Sequence, residues 1–594
     1  MGIQRDKMAR NRALVGTLVA LGVILVVCGS WIGIRGMLAK GELDHAAPLA
    51  NAVQHGIAAG KPADALAASR ELSARARTAV DLTGDPIWRA AEVFPWIGEN
   101  LTAVRQASEA TRVVAEQVVA PLTHVASGLD EASFRPSEGV VDLKPIEAAQ
   151  PELTRAQRAL DRARKQVDAI RTSGTIGQIS QATARLGSAL DKAALTVDSV
   201  RNGVLLLPLM LGSEAPRDYL LLIQNPAELR ASGGIAGALA LVHTDRGRIS
   251  LGMQASTTSF QQFKTPVQTL PPEAKGLYGE ITAQYIQNVN LTPRFALTGP
   301  LAAEMWRQRF GTAVDGVIAV DPVALGYLLG ATGPIRLSSG EELNAGNAVR
   351  LLVSETYQRY PDPAAQDAFF ARAAAAVFER VAAGKANAAA LIRAFAKAGD
   401  ERRILIWSSR DAEQAVLSPT TLAGGLPAST PARAGMGVYL NDATGAKMDY
   451  YLDVTVAVAS SICRIDGHPN ARVTVTLKNT APADAATSLP AYVTGAGDFG
   501  VAPGTIRTRV SVYGPMDSLL VATTSNGADF PSLSAMDGGH AVSQFAVDLA
   551  PGESRRVSVD MLNMGQFASD AYAVVTPALS SRVVKDLVAP CKRP

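Results

Sequence analysis

The sequence predicts a multidomain chain: an N-terminal transmembrane helix, an α-helical bundle or stalk, a central α/β domain and a C-terminal antiparallel β-sandwich. Three observations carry that prediction. No residue from Ala13 to Ile34 is charged. Apolar residues between about 46 and 205 recur at spacings of three and four. Strands and helices then alternate from about Asp218 to Leu417, and strands dominate from about Met448 onward. A chain of 594 residues is too long for one core and accommodates about three to four folded units. The expected division is a cytoplasmic tail at 1–12, a membrane span at 13–34, helices at 40–210, the α/β domain at 211–445 and the sandwich at 446–594.

The charge-free run is 22 residues long. As a helix it would extend roughly 33 Å, enough for a hydrocarbon core of about 30 Å. Arg5, Lys7, Arg10 and Arg12 precede it against the single acid Asp6. That flank predicts a cytoplasmic N-terminus and an extracytoplasmic bulk at the plasma membrane. Two rivals are a cleaved signal peptide and a buried soluble helix. The first would have a shorter apolar region and a small-residue cleavage site, whereas this run ends in Arg35-Gly36-Met37.

In the next region Leu153, Ala156, Leu160, Ala163, Val167 and Ile170 form an a/d stripe, flanked by Arg155, Arg158, Arg162 and Lys165. Leu186, Leu190, Ala193, Val197 and Val200 form a second one. Phe94-Pro95-Trp96-Ile97-Gly98 reads as a corner between two helices. In the central region, Tyr219–Ile223 and Ile235–Thr244 read as strands joined by a loop at Asn225–Gly234. Gly316–Val320 is a further strand, and Asp321 with Pro322 starts a helix. Near the end, Pro551-Gly552 turns between two strands.

Net charge is +3, from 57 basic and 54 acidic residues, which lacks the basic excess of a nucleic-acid binder. There is no Walker loop, no G-x-S-x-G, no C-x-x-C and no clustered histidine, so no metal site is expected. Of three cysteines, Cys28 lies in the apolar run. Cys463 and Cys591 either pair, a closure worth about 5 kcal/mol in the chain-entropy model, or remain unrelated thiols.

The candidate site is the loop holding Asn225, Glu228, Arg230, Gly233 and Gly234. Glycines let a backbone approach a ligand, successive N–H groups can cradle an anion, and a guanidinium grips phosphate with two hydrogen bonds. The alternative is a tight loop with an internal Glu228–Arg230 ion pair. Arg294, Tyr357, Arg359, Asp367 and Arg372 are further candidates.

The blocks Asn225–Gly234, Val314–Pro322 and Asn441–Tyr451 resemble the domain-of-unknown-function 4012 family. The order of elements over Asp218–Pro334 is more distantly similar to the LytR-CpsA-Psr family, enzymes that transfer polyprenyl-diphosphate-linked glycopolymers to cell-wall glycan. That second resemblance implies an envelope protein binding or transferring a polyprenyl-linked or wall glycan. Arg230 and Arg359 would neutralise the diphosphate, and Asp367 or Glu228 would hold magnesium or take a proton. Departing from that pattern, Arg230 is followed by Ala231-Ser232-Gly233-Gly234 with no acid. The arginine cluster of that family is thinned to Arg359 and Arg372. The competing expectation is a non-enzymatic, wall-facing scaffold.

Overall fold

A computed structural model of the chain describes residues 2–58, 61–128, 139–382, 388–430, 433–461, 468–564 and 570–585. Cys463 and Cys591 lie outside the described residues, so their pairing does too. The chain divides into two compact units, Met1–Phe134 with Leu143–Pro208, and Arg135–Asp142 with Leu209–Pro594.

The first unit is helical throughout. Its helices are α1 (Gly2–Asp44), α2 (Ala46–Ala58), α3 (Pro62–Thr83), α4 (Pro86–Ala91), α5 (Gly98–Val114), α6 (Ala120–Gly128), α7 (Lys144–Asp168) and α8 (Gly177–Met210). Among the described residues, the stretch beginning at Leu14 is the one helix long and apolar enough to cross a membrane. Its side chains, among them Leu14, Val19, Ile24 and Val27, are exposed in the structure, unlike those of a core helix. The helix continues ten residues past Ile34, because nothing from Arg35 to Asp44 breaks it.

The first stripe is the core of the bundle. Leu153, Ala156, Leu160, Ala163, Val167 and Ile170 are all buried. From Ala156 onward they pack with Ala103, Ala110 and Val113 of α5 and with Leu190, Ala194 and Val197 of α8. Alanines at the contacts let the helices approach closely. The second stripe departs at its end: Val200 is exposed. Helix α7 begins at Lys144, nine residues before the first residue of the stripe, and holds Pro151 inside it.

The second unit begins with a five-stranded mixed sheet. Its strands are β1 (Arg217–Arg230), β2 (Gly233–Asp245), β3 (Arg248–Ser256), β4 (Gly316–Val320) and, later, β7 (Ile404–Ser408), in the order β3-β2-β1-β4-β7. Only the β1–β4 pair is parallel. Side chains alternate between faces. Leu220, Leu222, Val317, Ala319 and Leu405 pack on one face with Phe295, Met305 and Trp306 of α10 (Phe295–Phe310), after the short α9 (Pro272–Tyr278). Ile318, Val320, Ile404 and Ile406 pack on the other with α11 (Pro322–Thr332) and the helix at Ala388–Asp400. The expected cap forms: Asp321 accepts from the Ala324 amide, 2.8 Å.

After a short ribbon, β5 (Ile335–Arg336) with β6 (Glu342–Leu343), come α12 (Ala348–Arg350), a π-helical turn at Leu351–Glu355, and α13 (Thr356–Arg359). Helices α14 (Pro363–Ala382), α15 (Ala388–Asp400) and, beyond β7, α16 (Asp411–Leu417) complete this part.

Two further sheets follow. One has five strands: β8 (Arg433–Asp442), β11 (Ile506–Met516), β14 (Leu533–Asp537), β15 (His540–Leu549) and β17 (Asp570–Val575). The other has six: β9 (Leu452–Ser461), β10 (Asn470–Asn479), β12 (Ser518–Ser525), β13 (Ala528–Asp529), β16 (Ser554–Asn563) and β18 (Ser580–Lys585). Alternate residues from both, such as Val438, Leu440, Val510 and Val547 with Val456, Val475 and Val559, share one apolar cluster. Two expectations are corrected here. The sheets are not purely antiparallel, since β17 returns parallel to β8 and β18 parallel to β9. The strand β8 precedes the boundary expected at 445/446, because Arg433–Asp442 pairs with β11 rather than with the first sheet.

Leu160→Ala should cost about 2–5 kcal/mol, whereas Val200→Ala should stay within about 0.5 kcal/mol. Thermal unfolding of the two variants checks the difference.

Candidate functional site

The segment expected to be a ligand-facing loop is a strand end and a hairpin turn. Strand β1 runs through to Arg230, and Ala231-Ser232 turn the chain into β2. Register jumps from Asn225 opposite Ile235 to Leu229 opposite Gly234, so Pro226, Ala227 and Glu228 bulge out of the ladder. Proline and the bulge account for the loop-like sequence.

The two glycines do not make room for a ligand. Gly233 has φ of 141°, where side chains are rarely tolerated, and a Cβ there would fall among the Gln224 carboxamide atoms. A Cβ on Gly234 would fall on the backbone of Asn225 and Pro226. The chain fills its own cradle.

The bulge instead turns its charges inward against the segment after β8. The Lys447 ammonium and the Arg230 guanidinium, the latter at 3.0 Å, both donate to the buried Glu228 carboxylate. Arg230 also donates to the Leu229 carbonyl, 2.9 Å. The Leu229 amide donates to Asp449, 2.7 Å, and the Ala231 amide to the Asn441 carboxamide, 2.9 Å. Thr576 donates to the Ala231 carbonyl, 2.8 Å. Asn225 donates to the Tyr357 hydroxyl, while the Lys447 ammonium lies over the rings of Tyr357 and Tyr492, at 5.9 and 5.5 Å from their centroids. Among the described residues, Arg230 Nε and Asp449 Oδ1 are buried with no hydrogen-bond partner.

Two buried carboxyls, Glu228 and Asp449, and the half-buried Asp442 thus lie close to two buried cations. Burial raises the Glu228 carboxyl, but Lys447 and Arg230 outweigh it and hold the group below its usual value. Burial, then the charge of Glu228, pushes Asp442 up to about 6. Burial and Asp442 together push Asp449 well above the carboxylate range.

The remaining candidates lie apart. Arg359, 45 % exposed, pairs with Glu341 and Glu355. Asp367 is half-buried on α14, and Arg372 is exposed on the same helix. Arg294 pairs at 3.0 Å with the fully buried Asp537. Asp537 accepts from Tyr513, whose hydroxyl meets that of Tyr278. An open groove of about 890 Å³ lies near Tyr278, Arg509 and Phe530, and none of the predicted site residues lines it. No group of three or more His, Cys, Asp or Glu side chains placed to hold a metal ion occurs among the described residues.

Residues 214–357 match the model of a family described as protein of unknown function (DUF4012). No curated protein and no solved structure was found to match the chain. The DUF4012 match covers well under half of the chain, and its charges are completed from beyond it. Glu228 and Arg230 lie within the match, whereas Lys447, Asn441 and Asp449 lie outside. Asp321 likewise reaches Arg403 at 2.6 Å, and Arg217 reaches Glu413 at 3.3 Å. Sequence reasoning placed Asn441–Tyr451 among the resembling blocks without its partner. Pairing across some 220 positions leaves no local periodicity to read.

Removing Glu228 leaves two cations buried together, so Glu228→Ala should cost about 3–5 kcal/mol in urea unfolding, while Arg359→Ala should cost less than about 0.5 kcal/mol. The raised aspartates make a second prediction. Each favours its protonated form in the folded chain, so its contribution is complete below the usual aspartate range. It is lost as pH rises through about 6 for Asp442 and through the raised value of Asp449. Glu228 acts oppositely and loses its contribution in acid, below the usual glutamate range. Melting temperature should therefore fall from pH 5 to pH 8, and Asp449→Asn should flatten that slope.

Proposed function

We propose that the chain is a membrane-anchored scaffold of the cell envelope. In this reading α1 spans the plasma membrane with its N-terminus in the cytoplasm, and the second unit serves outside as an interaction module. The basic flank of Arg5, Lys7, Arg10 and Arg12 supports the orientation. The single observation that carries the scaffold reading is the use made of the arginines. Arg230 is spent on Glu228 and a backbone carbonyl inside the protein, and Arg359 on Glu341 and Glu355.

The sheet β3-β2-β1-β4-β7, with α10 on one face and α11 and α15 on the other, is on this reading a LytR-CpsA-Psr-like domain whose phosphate-binding positions have become structural. The two later sheets make a sandwich that extends the interaction surface. A diphosphate carrier needs several free cations or a metal ion, converging on an opening. Here those cations already have carboxylate partners.

Two measurements test the reading. Protease added outside intact cells should cut beyond Lys40, and full protection would contradict the orientation. Lipid mass spectrometry of the purified full-length chain should find no stoichiometric polyprenyl phosphate, and finding one would favour a glycopolymer transferase.

A further inference from the structure

The geometry points to a second membrane contact: the corner between α4 and α5 inserts its apolar side chains into the lipid headgroup region beside α1. The inference rests on α1 being a membrane span, and it concerns a surface that reading leaves unassigned.

The fold delivers this corner to the point where the charge-free run ends. Helix α3 runs antiparallel to α1, for Arg75 meets Glu42 while Arg35, seven residues earlier on α1, meets Asp85 just past the end of α3. Arg35 also donates to the carbonyls of Asp81 and Leu82. Helix α4 then lies against α1, and a Cβ on Gly36 would touch the Trp88 ring at 3.7 Å. Trp88 is buried and donates to the Leu101 carbonyl, 3.2 Å, fixing α4 on α5. The corner that follows α4 is therefore anchored through Trp88, which sits beside Gly36, two residues past Ile34, where α1 would leave the hydrocarbon.

What the corner displays is unusual for a surface facing water. Val93 is 81 % exposed and Trp96 90 %, and Phe94, Ile97 and Ile87 are exposed as well. Ile176, on the turn between α7 and α8, joins them, tied in by its amide donating to Asn100, 2.9 Å. Large clustered apolar exposure marks an interaction surface rather than ordinary solvent contact. Tryptophan beside a span suits the headgroup level, where its ring is half apolar and half polar.

The display is built, not floppy. Trp96 holds φ of 66°, a conformation that costs energy for a bulky residue. It is secured by Asn100 donating to the Trp96 carbonyl, 2.8 Å, and by the Gly98 amide donating to the Phe94 carbonyl, 2.9 Å. Gly98 cannot carry a side chain, because a Cβ would fall on the Glu92 carbonyl. Glu92 in turn accepts two hydrogen bonds from Arg105, at 2.6 and 3.1 Å. A bilayer, continuous with the surface around α1, is the occupant that meets such a corner.

The test reconstitutes the full-length chain in phosphatidylcholine–phosphatidylglycerol vesicles with and without brominated acyl chains. Emission of Trp96 and of Trp31, which lies in α1, is isolated by subtracting the spectra of Trp96→Phe and Trp31→Phe. Both substitutions are at exposed positions and keep an aromatic ring. The inference expects both components to lose most of their intensity to brominated lipid, with Trp96 shielded from aqueous iodide. Quenching of Trp31 without Trp96 would overturn the second contact alone. Quenching of neither would overturn the span and the contact together.

Discussion

The second unit depends on one constraint: a buried carboxylate must be matched by cations from two distant stretches of chain. Glu228 comes from a bulge in β1, Arg230 from the end of the same strand and Lys447 from beyond β8. An uncompensated charge in that position would be strongly destabilising, so none of the three can move without the others. The first sheet is thereby fastened to the strands that begin the second. Asp449 and Asn441 add hydrogen bonds to the Leu229 and Ala231 amides, converting an electrostatic match into a fixed register.

The same constraint explains why the most conspicuous sequence feature carries no pocket. Adjacent glycines, a proline, an acid and an arginine in ten residues are what a phosphate-binding loop needs. They are also what a bulged strand needs when it reverses over its own side chains and hides its charges. The structure separates the two by asking what fills the space above the glycines, and the answer is Gln224, Asn225 and Pro226. An internal Glu228–Arg230 pair was legible as an alternative. Lys447 as the third member was not, since nothing local in either segment points to the other.

Legibility elsewhere followed the range of the interaction. The apolar helix, the α7 stripe and the Asp321 cap each leave a pattern that repeats or closes within a few turns, and the sequence locates them. The strand β8 was hidden because its glycines and its late partner β11 lie on either side of β9 and β10. The returning strands β17 and β18 were missed for a related reason. Each adds to an edge in parallel, and parallel pairing needs a crossover that short-range turn residues do not mark. Continuation of α1 past Ile34 was obscured because charge ends a membrane span without ending a helix.

In the first unit the ordering principle is alanine. Small residues along α5, α7 and α8 let the bundle close tightly with few aromatics. That leaves the exposed Trp96 corner out of keeping with the rest of the surface.

Hydrogen exchange at the Leu229 and Ala231 amides, whose acceptors come from Asp449 and Asn441, reads the fastening of the second unit directly. If the buried charges fasten the two parts of the unit, both amides should exchange only when the whole unit unfolds, in step with the core strands β10 and β16. Exchange as fast as in an exposed turn such as Gly538-Gly539 would contradict the account.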